Sequence, residues 1–183
     1  MLKLDTGTDV TLTTAVSEDA ETIFELYMED KEELKEVFSF VTDDLTSEHE
    51  KKFFENPGEN YPFVIRYNNQ ICGYAVLYDY KELNNSISFL YYVNSKYRGN
   101  KIAKIAVLRL LEYAFEELNI NRAEFYINTD NYDSLKVVES LGIRQEGTLL
   151  ENDFTNGKYH DQNLYSILKR EYKLLFKNIN QKK

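Results

Sequence analysis

The chain has 183 residues, of which 43% are hydrophobic and 14% aromatic, and its formal net charge is −9. This length and aromatic content predict one folded domain over residues 1–183 rather than a disordered acidic tail. The acidic balance argues against general nucleic-acid binding, and no apolar run approaches the about 18 residues of a membrane span, so we expect a soluble, cytoplasmic protein. One Cys and two His leave too few ligands for a disulfide framework or a structural zinc site, and we expect no metal.

The negative charge is concentrated in one segment. Residues 17–60 hold 15 of the 31 Asp and Glu residues but four of the 22 Lys and Arg residues. Two interpretations are open at this point. The acids are either the solvated faces of ordinary helices, or a wall that attracts a cationic partner through long-range steering.

Apolar periodicity and turn residues divide the chain into elements. The first sixty residues predict a strand and three helical pieces: a strand over 10–16, a helix from Ser17, and two pieces opened by Asp30 with Glu33 and by Ser47 with Glu50, reaching about residues 40 and 54. A β meander follows, with strands over 61–67, 70–80 and 86–93, separated by Asn-rich turns.

The second half of the chain alternates between helix and strand. A largely buried helix is predicted from about 102 to 118, a strand over 122–128, a helix over 132–141, and a hairpin of 145–154 and 163–168 around Asn156-Gly157. These seven strands predict an α/β (α+β) fold, with a mixed, mostly antiparallel central sheet flanked by helices.

A basic loop precedes the buried helix. Lys96, Arg98, Lys101 and Lys104 surround Gly99, with no acid among them. A strand, a short Gly-containing loop and a helix N-terminus form an anion site, because free N–H groups and the helix dipole converge there. The same composition also describes a solvent-facing loop, so the pattern does not establish phosphate binding by itself.

Three blocks in this part of the chain resemble one family. Residues 97–103 (Tyr-Arg-Gly-Asn-Lys-Ile-Ala) resemble the [QR]-x-x-G-x-[GA] loop of the GNAT superfamily of acetyl-CoA-dependent N-acetyltransferases, and residues 131–134, 141–143 and 146–147 resemble its N-x-x-S…L-G-F…E-G block. The closing residues 156–168 look like the Rim-type branch, which includes ribosomal-protein N-acetyltransferases. The resemblance covers residues 86–172, which it identifies as an acetyl-CoA-binding core, and it implies a sheet splayed at the cofactor site.

The resemblance also implies the positions of the site residues. The family's pyrophosphate cradle corresponds to Arg98, Gly99, Asn100, Lys101, Ile102 and Ala103. Its fourth strand lends backbone groups to the pantetheine arm, here at Tyr92 and Val93. The motif Asn corresponds to Asn131, and the small residue near the thiol end to Ser134.

The chain departs from the family pattern at three positions. Lys101 replaces the usual second Gly of the loop, Val138 stands where many relatives have a Tyr that protonates the thiolate, and Ser88 stands where Rim-type relatives often have Glu. The general base and acid are therefore not readable. We expect the backbone N–H of Val93 to stabilise the oxyanion, and Ser134 and Tyr91 to handle protons, although Tyr91 also fits a plain wall aromatic.

The function implied is transfer of an acetyl group from acetyl-CoA to a primary amine of a cationic acceptor, by direct attack in a ternary complex. The resemblance implies that the acidic residues 17–60 form helices beside the acceptor cleft, as the corresponding segment does in the family. A protein N-terminus and a small amine, such as a polyamine or an antibiotic, both remain open. So does a non-catalytic acyl-CoA-binding or regulatory module. A homodimer is possible.

Three residues outside these motifs have structural interpretations. Gly73 is expected to let another group pack closely against its strand. His49 is expected to be solvated on a charged helix, and His160 to make a structural hydrogen bond in the hairpin.

Overall fold

The computed structural model describes the backbone of residues 9–180 and the side chains of residues 9–174, so the expected domain range of 1–183 extends beyond it at both ends. Its strands are β1 (Val10–Thr14), β2 (Tyr61–Tyr67), β3 (Gln70–Lys81), β4 (Ser86–Val93), β5 (Arg122–Asn128), β6 (Arg144–Thr155) and β7 (Lys158–Leu168). Its helices are α1 (Ala20–Glu29), α2 (Lys31–Leu34), α3 (Ser47–Glu55), α4 (Ile102–Glu112), α5 (Tyr132–Ser140) and α6 (Lys169–Asn180). No helix in this part of the chain is long and apolar enough to cross a membrane.

The seven strands form one sheet in the order β1-β2-β3-β4-β5-β7-β6. Every neighbouring pair is antiparallel except β4 and β5, which are parallel. The predicted mixed, mostly antiparallel sheet flanked by helices is therefore confirmed. The hairpin between β6 and β7 turns at Asn156-Gly157, where both residues have positive φ, as a two-residue turn of this type requires.

Helices cover both faces of the sheet. The α1–α3 face packs on Val64, Tyr74 and Tyr92. On the opposite face, α4 and α5 pack on side chains such as Phe89 and Phe125. Alternate side chains of a strand point to opposite faces of the sheet, so β4 contributes side chains to both layers. The expectation of a largely buried central helix is confirmed, since α4 is buried along nearly its whole length.

The acidic segment is less helical than its pattern indicated. The second helical piece ends at Leu34 rather than near residue 40, and the chain continues in turns that bring Phe40 against Tyr27, with ring centroids 5.9 Å apart. Aromatic packing thus overrides local helix propensity. The cap of α3 also differs: the N–H of Thr46 donates to Nδ1 of His49 at 3.1 Å, so Glu50 is not a capping residue. The C-terminal helix α6 was not predicted.

Candidate active site

The sheet opens between β4 and β5. The two strands pair only over Ser86–Ser88 and Arg122–Glu124, after which β5 continues against β7 alone. The N–H of Asn94 donates to the carbonyl oxygen of Cys72 in β3 at 2.9 Å. Backbone groups alternate along a strand, so those of Tyr92 also face β3, whereas those of Val93 face the opening. The splay predicted at the cofactor site is present.

This geometry separates the two backbone contacts expected on β4. The carbonyl oxygen of Tyr92 lies so close to Gly73 that a Cβ there would be 2.2 Å from it. The close packing expected at Gly73 is thus the approach of β4 itself. The expectation that Tyr92 lends its backbone to a pantetheine arm is not supported by this geometry. Of the two residues, Val93 is the one turned toward the gap.

The side chain of Tyr92 instead anchors β4 to α1. Its hydroxyl donates to Asp30 Oδ2 at 2.7 Å, and the carbonyl oxygen of Leu26 lies 2.8 Å from the same hydroxyl oxygen. Asp30 also accepts from the N–H of Ser95 at 2.8 Å. Burial works to raise the pKa of Asp30, but the hydrogen bonds from Ser95 and Tyr92 outweigh it and hold the pKa below its ordinary value. This buried network fixes where the basic loop leaves the sheet.

The N-terminus of α4 presents free backbone donors. Lys101 precedes the helix with φ of +60° and ψ of +14°, a left-handed conformation, and Gly99 has φ of +81° with open space where a Cβ would point. The N–H of Ile105 bonds to the carbonyl oxygen of Lys101 at 3.1 Å. The N–H groups of residues 102–104 have no acceptor within the described part of the chain, as expected for the first turn of a helix.

The basic side chains of the loop are mostly engaged by the acidic segment. Lys96 pairs with Glu29, and Arg98 with Glu33, each at 2.6 Å. The bond to Glu33 raises the pKa of Arg98 above its ordinary value, although partial burial opposes this. Lys101 forms no hydrogen bond or salt bridge with any residue whose side chain is described. Lys104 Nζ donates to the carbonyl oxygen of Ser140 at 3.0 Å and has no acidic partner among the described residues, so Lys101 and Lys104 are the cations of the loop that are left for an anion.

A cavity of about 540 Å³ joins these groups. Its lining runs from the loop and the first turn of α4, past Val93, to the start of α5. Asn131 caps α5, since its Oδ1 accepts from the N–H of Ser134 at 3.2 Å. The hydroxyl of Tyr91 donates to the carbonyl oxygen of Ser134 at 3.3 Å, which bridges the gap between β4 and α5. Burial raises the pKa of Tyr91 to about 12, so its hydroxyl keeps its proton at neutral pH.

A second cavity of about 660 Å³ lies on the side of α3, β3 and β5. It shares five lining residues with the first: Val37, Phe38, Tyr91, Asn131 and Ser134. Two of the predicted catalytic residues, Ser134 and Tyr91, therefore lie where the cavities meet. Val93, the third predicted catalytic residue, lines the first cavity but not the second. Two reactants that enter from opposite sides can meet at this junction.

Glu50 was missed as a site residue. Its side chain lines the second cavity, it is 7% exposed, and burial raises its pKa from the ordinary 4.5 to about 7. Sequence reasoning assigned it to a helix cap. The usable signal was its spacing, because Glu50 lies four residues before Phe54 and so shares the apolar face of α3.

The described acids of the segment have different surroundings, and attraction of a cationic partner stays a prediction. Five of its acids form salt bridges: Asp19, Glu29, Glu33, Glu36 and Asp43. Two others, Asp44 and Glu50, line the second cavity. Much of the negative charge therefore balances nearby cations, while a smaller part faces the cleft.

The positions that depart from the family pattern supply no obvious acid or base. Val138 is fully buried in the core, and the buried Ser88 hydroxyl has no hydrogen-bond partner in the described structure.

Cys72 is buried, which raises its pKa to about 12 and makes it a poor nucleophile. His160 is also buried, with Nδ1 3.9 Å from Asp130 and no partner at Nε2. Among the residues whose side chains are described, no group of three His, Cys, Asp or Glu residues could hold a metal.

Comparisons with known proteins agree with this architecture. The profile of the acetyltransferase (GNAT) domain matches residues 9–144. The "Putative ribosomal N-acetyltransferase YdaF" of Bacillus subtilis is 32% identical over 108 residues, which are 59% of this chain and 59% of that protein, so the chain spans less than two-thirds of that relative. A spermidine N(1)-acetyltransferase of Vibrio cholerae is 25% identical over 130 residues, 71% of this chain and 75% of that one.

Solved structures show the same fold. A crystal structure of a probable acetyltransferase superposes with a TM-score of 0.82 and 25% identity, over 93% of this chain and 97% of the other. RimL, a ribosomal L7/L12 α-N-protein acetyltransferase in complex with coenzyme A, also superposes with a TM-score of 0.82, at 19% identity, over 88% and 94%. The chain therefore belongs to the acetyltransferase (GNAT) family, as its loop, helix and hairpin motifs predicted.

Proposed function

We propose that this chain transfers an acetyl group from acetyl-CoA to a primary amine of a cationic acceptor, acting in the cytoplasm as one domain over residues 1–183. The observation that carries the proposal is the meeting of two cavities at Tyr91, Asn131 and Ser134. One cavity begins at a helix N-terminus, and the other is lined by aromatic and acidic side chains. Such an arrangement suits direct attack in a ternary complex, because it holds two reactants together.

The first cavity fits coenzyme A. The free N–H groups of residues 102–104 and the helix dipole favour a pyrophosphate at this end, and the open space beside Gly99 lets it approach the backbone. Lys101 supplies a further positive charge there. Acetyl-CoA bound in this way would supply the acetyl thioester. RimL, which shares the fold, is described in complex with coenzyme A.

The residues at the junction suit the requirements of acetyl transfer. The N–H of Val93, turned toward the gap, is placed to stabilise negative charge on the carbonyl oxygen. Tyr91, which is protonated at neutral pH, is placed to donate a proton to the leaving sulfur. The attacking amine must be neutral, which costs less for a protein N-terminus, with pKa about 8, than for a lysine-like amine at about 10.4.

The class of acceptor is supported by charge and by the relatives. Among the residues whose side chains are described, no Lys or Arg lines the second cavity, whereas Asp44, Glu50 and Asp153 do. YdaF is named as a putative ribosomal N-acetyltransferase, and the Vibrio cholerae relative as a spermidine N(1)-acetyltransferase. The proposed acceptor is therefore either a protein N-terminus or a small amine.

A thiol-release assay with acetyl-CoA and a panel of N-terminal peptides, polyamines and aminoglycosides tests the proposal. We expect turnover with at least one cationic amine. Calorimetry with acetyl-CoA separates the alternatives. Binding without turnover would favour a regulatory acyl-CoA module, and the absence of binding would exclude both the enzyme and the module.

A further inference from the structure

The carboxyl group of Glu50 faces the second cavity, which is the proposed acceptor site, and none of the described residues pairs with it. Glu50 is more than nine-tenths buried and lines this cavity, and no described residue forms a hydrogen bond or salt bridge with it. The Glu50 oxygens are not among the enclosed side-chain atoms that lack a partner, so they are open to the cavity, where a bound cation would offset the cost of burying the rest of the side chain. Neither function considered for the acidic segment so far, helix capping or salt bridging, explains this residue.

The surroundings of Glu50 favour a cation. The charge of Glu50 helps burial to raise the pKa of two phenols beside it, Tyr27 on α1 and Tyr74 on β3. The hydroxyl of Tyr27 is itself buried without a partner. Asp44 and His49 line the same cavity from the exposed side. The described lining of this cavity contains no Lys or Arg.

The cavity is larger than a single amine requires. Its volume of about 660 Å³ is that of a site for a molecule with many heavy atoms. Glu50 does not line the cofactor-side cavity, whereas Tyr91 and Ser134 line both. The rings of Phe53 and Tyr74 also line the wall, and aromatic faces attract ammonium and guanidinium groups.

We propose that Glu50 binds a second positively charged group of the acceptor, one that does not react, and so selects acceptors with two cationic groups. The inference rests on the proposed function, because it assumes that the amine to be acetylated lies at the junction with the cofactor cavity. A polyamine and a peptide with a basic side chain near its N-terminus share this chemistry, and the experiment distinguishes them.

The test uses acceptors that differ by one charge. One arm compares 1,5-diaminopentane with 1-aminopentane, and the other compares a short peptide with Lys at its second position with the same peptide carrying norleucine there. Thiol release gives kcat/KM for each acceptor. In at least one arm we expect the wild type to prefer the dication by at least about tenfold, mainly through KM, the size of one charge-assisted hydrogen bond. In E50Q the preference should fall to about threefold or less.

A matched control removes the same charge from an exposed position. Glu48 lies on the same helix, is exposed and does not line the cavity, so E48Q should keep the wild-type preference. If E48Q lowers the preference as much as E50Q does, net charge rather than Glu50 is responsible, and the inference is overturned. Equal kcat/KM for one and two charges in the wild type, in both arms, would also overturn it.

A binding measurement separates this inference from the proposed function. Calorimetry with 1,5-diaminopentane and with the Lys peptide at pH 6.5, without acetyl-CoA and in buffers of different ionisation enthalpy, reports proton release. The wild type should release at least about half a proton more than E50Q, because at pH 6.5 a carboxyl group with a pKa of about 7 is mostly protonated before the cation binds. Proton release without any turnover would refute catalysis but support the Glu50 site. Turnover without a preference for the dication and without proton release would support catalysis but refute the Glu50 site.

Discussion

Replacing Glu50 by Gln should make the protein more stable, and the gain should depend on pH. The pKa of Glu50 is about 7 in the folded protein and ordinarily 4.5. The folded state therefore holds a proton that the unfolded chain releases, and folding is penalised as pH rises from 4.5 to 7. The shift corresponds to a penalty of about 1 kcal/mol at pH 5 and about 3 kcal/mol at pH 8, above which it is constant. Gln removes the ionisation and keeps nearly the same shape.

Thermal and urea denaturation of wild type, E50Q and E48Q at pH 5, 6, 7 and 8 would measure this effect. For a chain of this size, about 3 kcal/mol corresponds to a rise in Tm of about 6–12 °C at pH 8. The part of the gain that grows with pH is the diagnostic quantity, because a change in packing or in amide hydrogen bonding would be the same at every pH. A stability difference between E50Q and wild type that stays constant from pH 5 to pH 8 would refute the reasoning.

Three further substitutions test the cofactor side. Gly73→Ala should cost about 2 kcal/mol or more in urea unfolding and weaken acetyl-CoA binding in calorimetry, because a Cβ 2.2 Å from the Tyr92 oxygen must displace backbone; unchanged affinity would contradict the role given to β4. Tyr91→Phe should lower kcat about 100-fold or more while the acetyl-CoA Kd stays within about twofold, and an unaltered kcat would exclude Tyr91 as the proton donor. Lys101→Gly should be about 1 kcal/mol more stable than Lys101→Ala in urea unfolding, since Gly fits the left-handed backbone, and equal stabilities would contradict the conformation at this position.

Local patterns predicted the strands and the loop well. The bounds of β2, β4 and β5 match the expected ranges, because runs of β-branched and aromatic residues end at residues that favour turns. The entry into α4 also follows from local signals, since the basic loop, Gly99 and the start of apolar periodicity are adjacent in the sequence. These features depend on residues within a few positions of one another.

The missed features depend on residues far apart in the sequence. Arg98 and Glu33, which pair with each other, are 65 residues apart, and the hydrogen bond from Tyr92 to Asp30 joins residues that are 62 positions apart. Glu50 has a capping-box position by spacing, but Thr46 and His49 occupy that role, and packing of α3 on the sheet turns Glu50 inward. No local pattern distinguishes a solvated acid from one carried into a cavity by tertiary packing.

The pairing of acidic and basic residues has a consequence for how the cofactor is held. Because Glu29 and Glu33 neutralise Lys96 and Arg98, the loop that looked strongly basic in sequence presents mainly main-chain N–H groups, Lys101 and Lys104 to the cavity. Main-chain donors have fixed positions and lose little entropy on binding, whereas long basic side chains must first be ordered. In the proposed function, the left-handed backbone at Gly99 and Lys101 therefore directs these N–H groups toward the pyrophosphate. The proposal thus lets an acidic chain hold an anionic cofactor beside a cavity suited to cations.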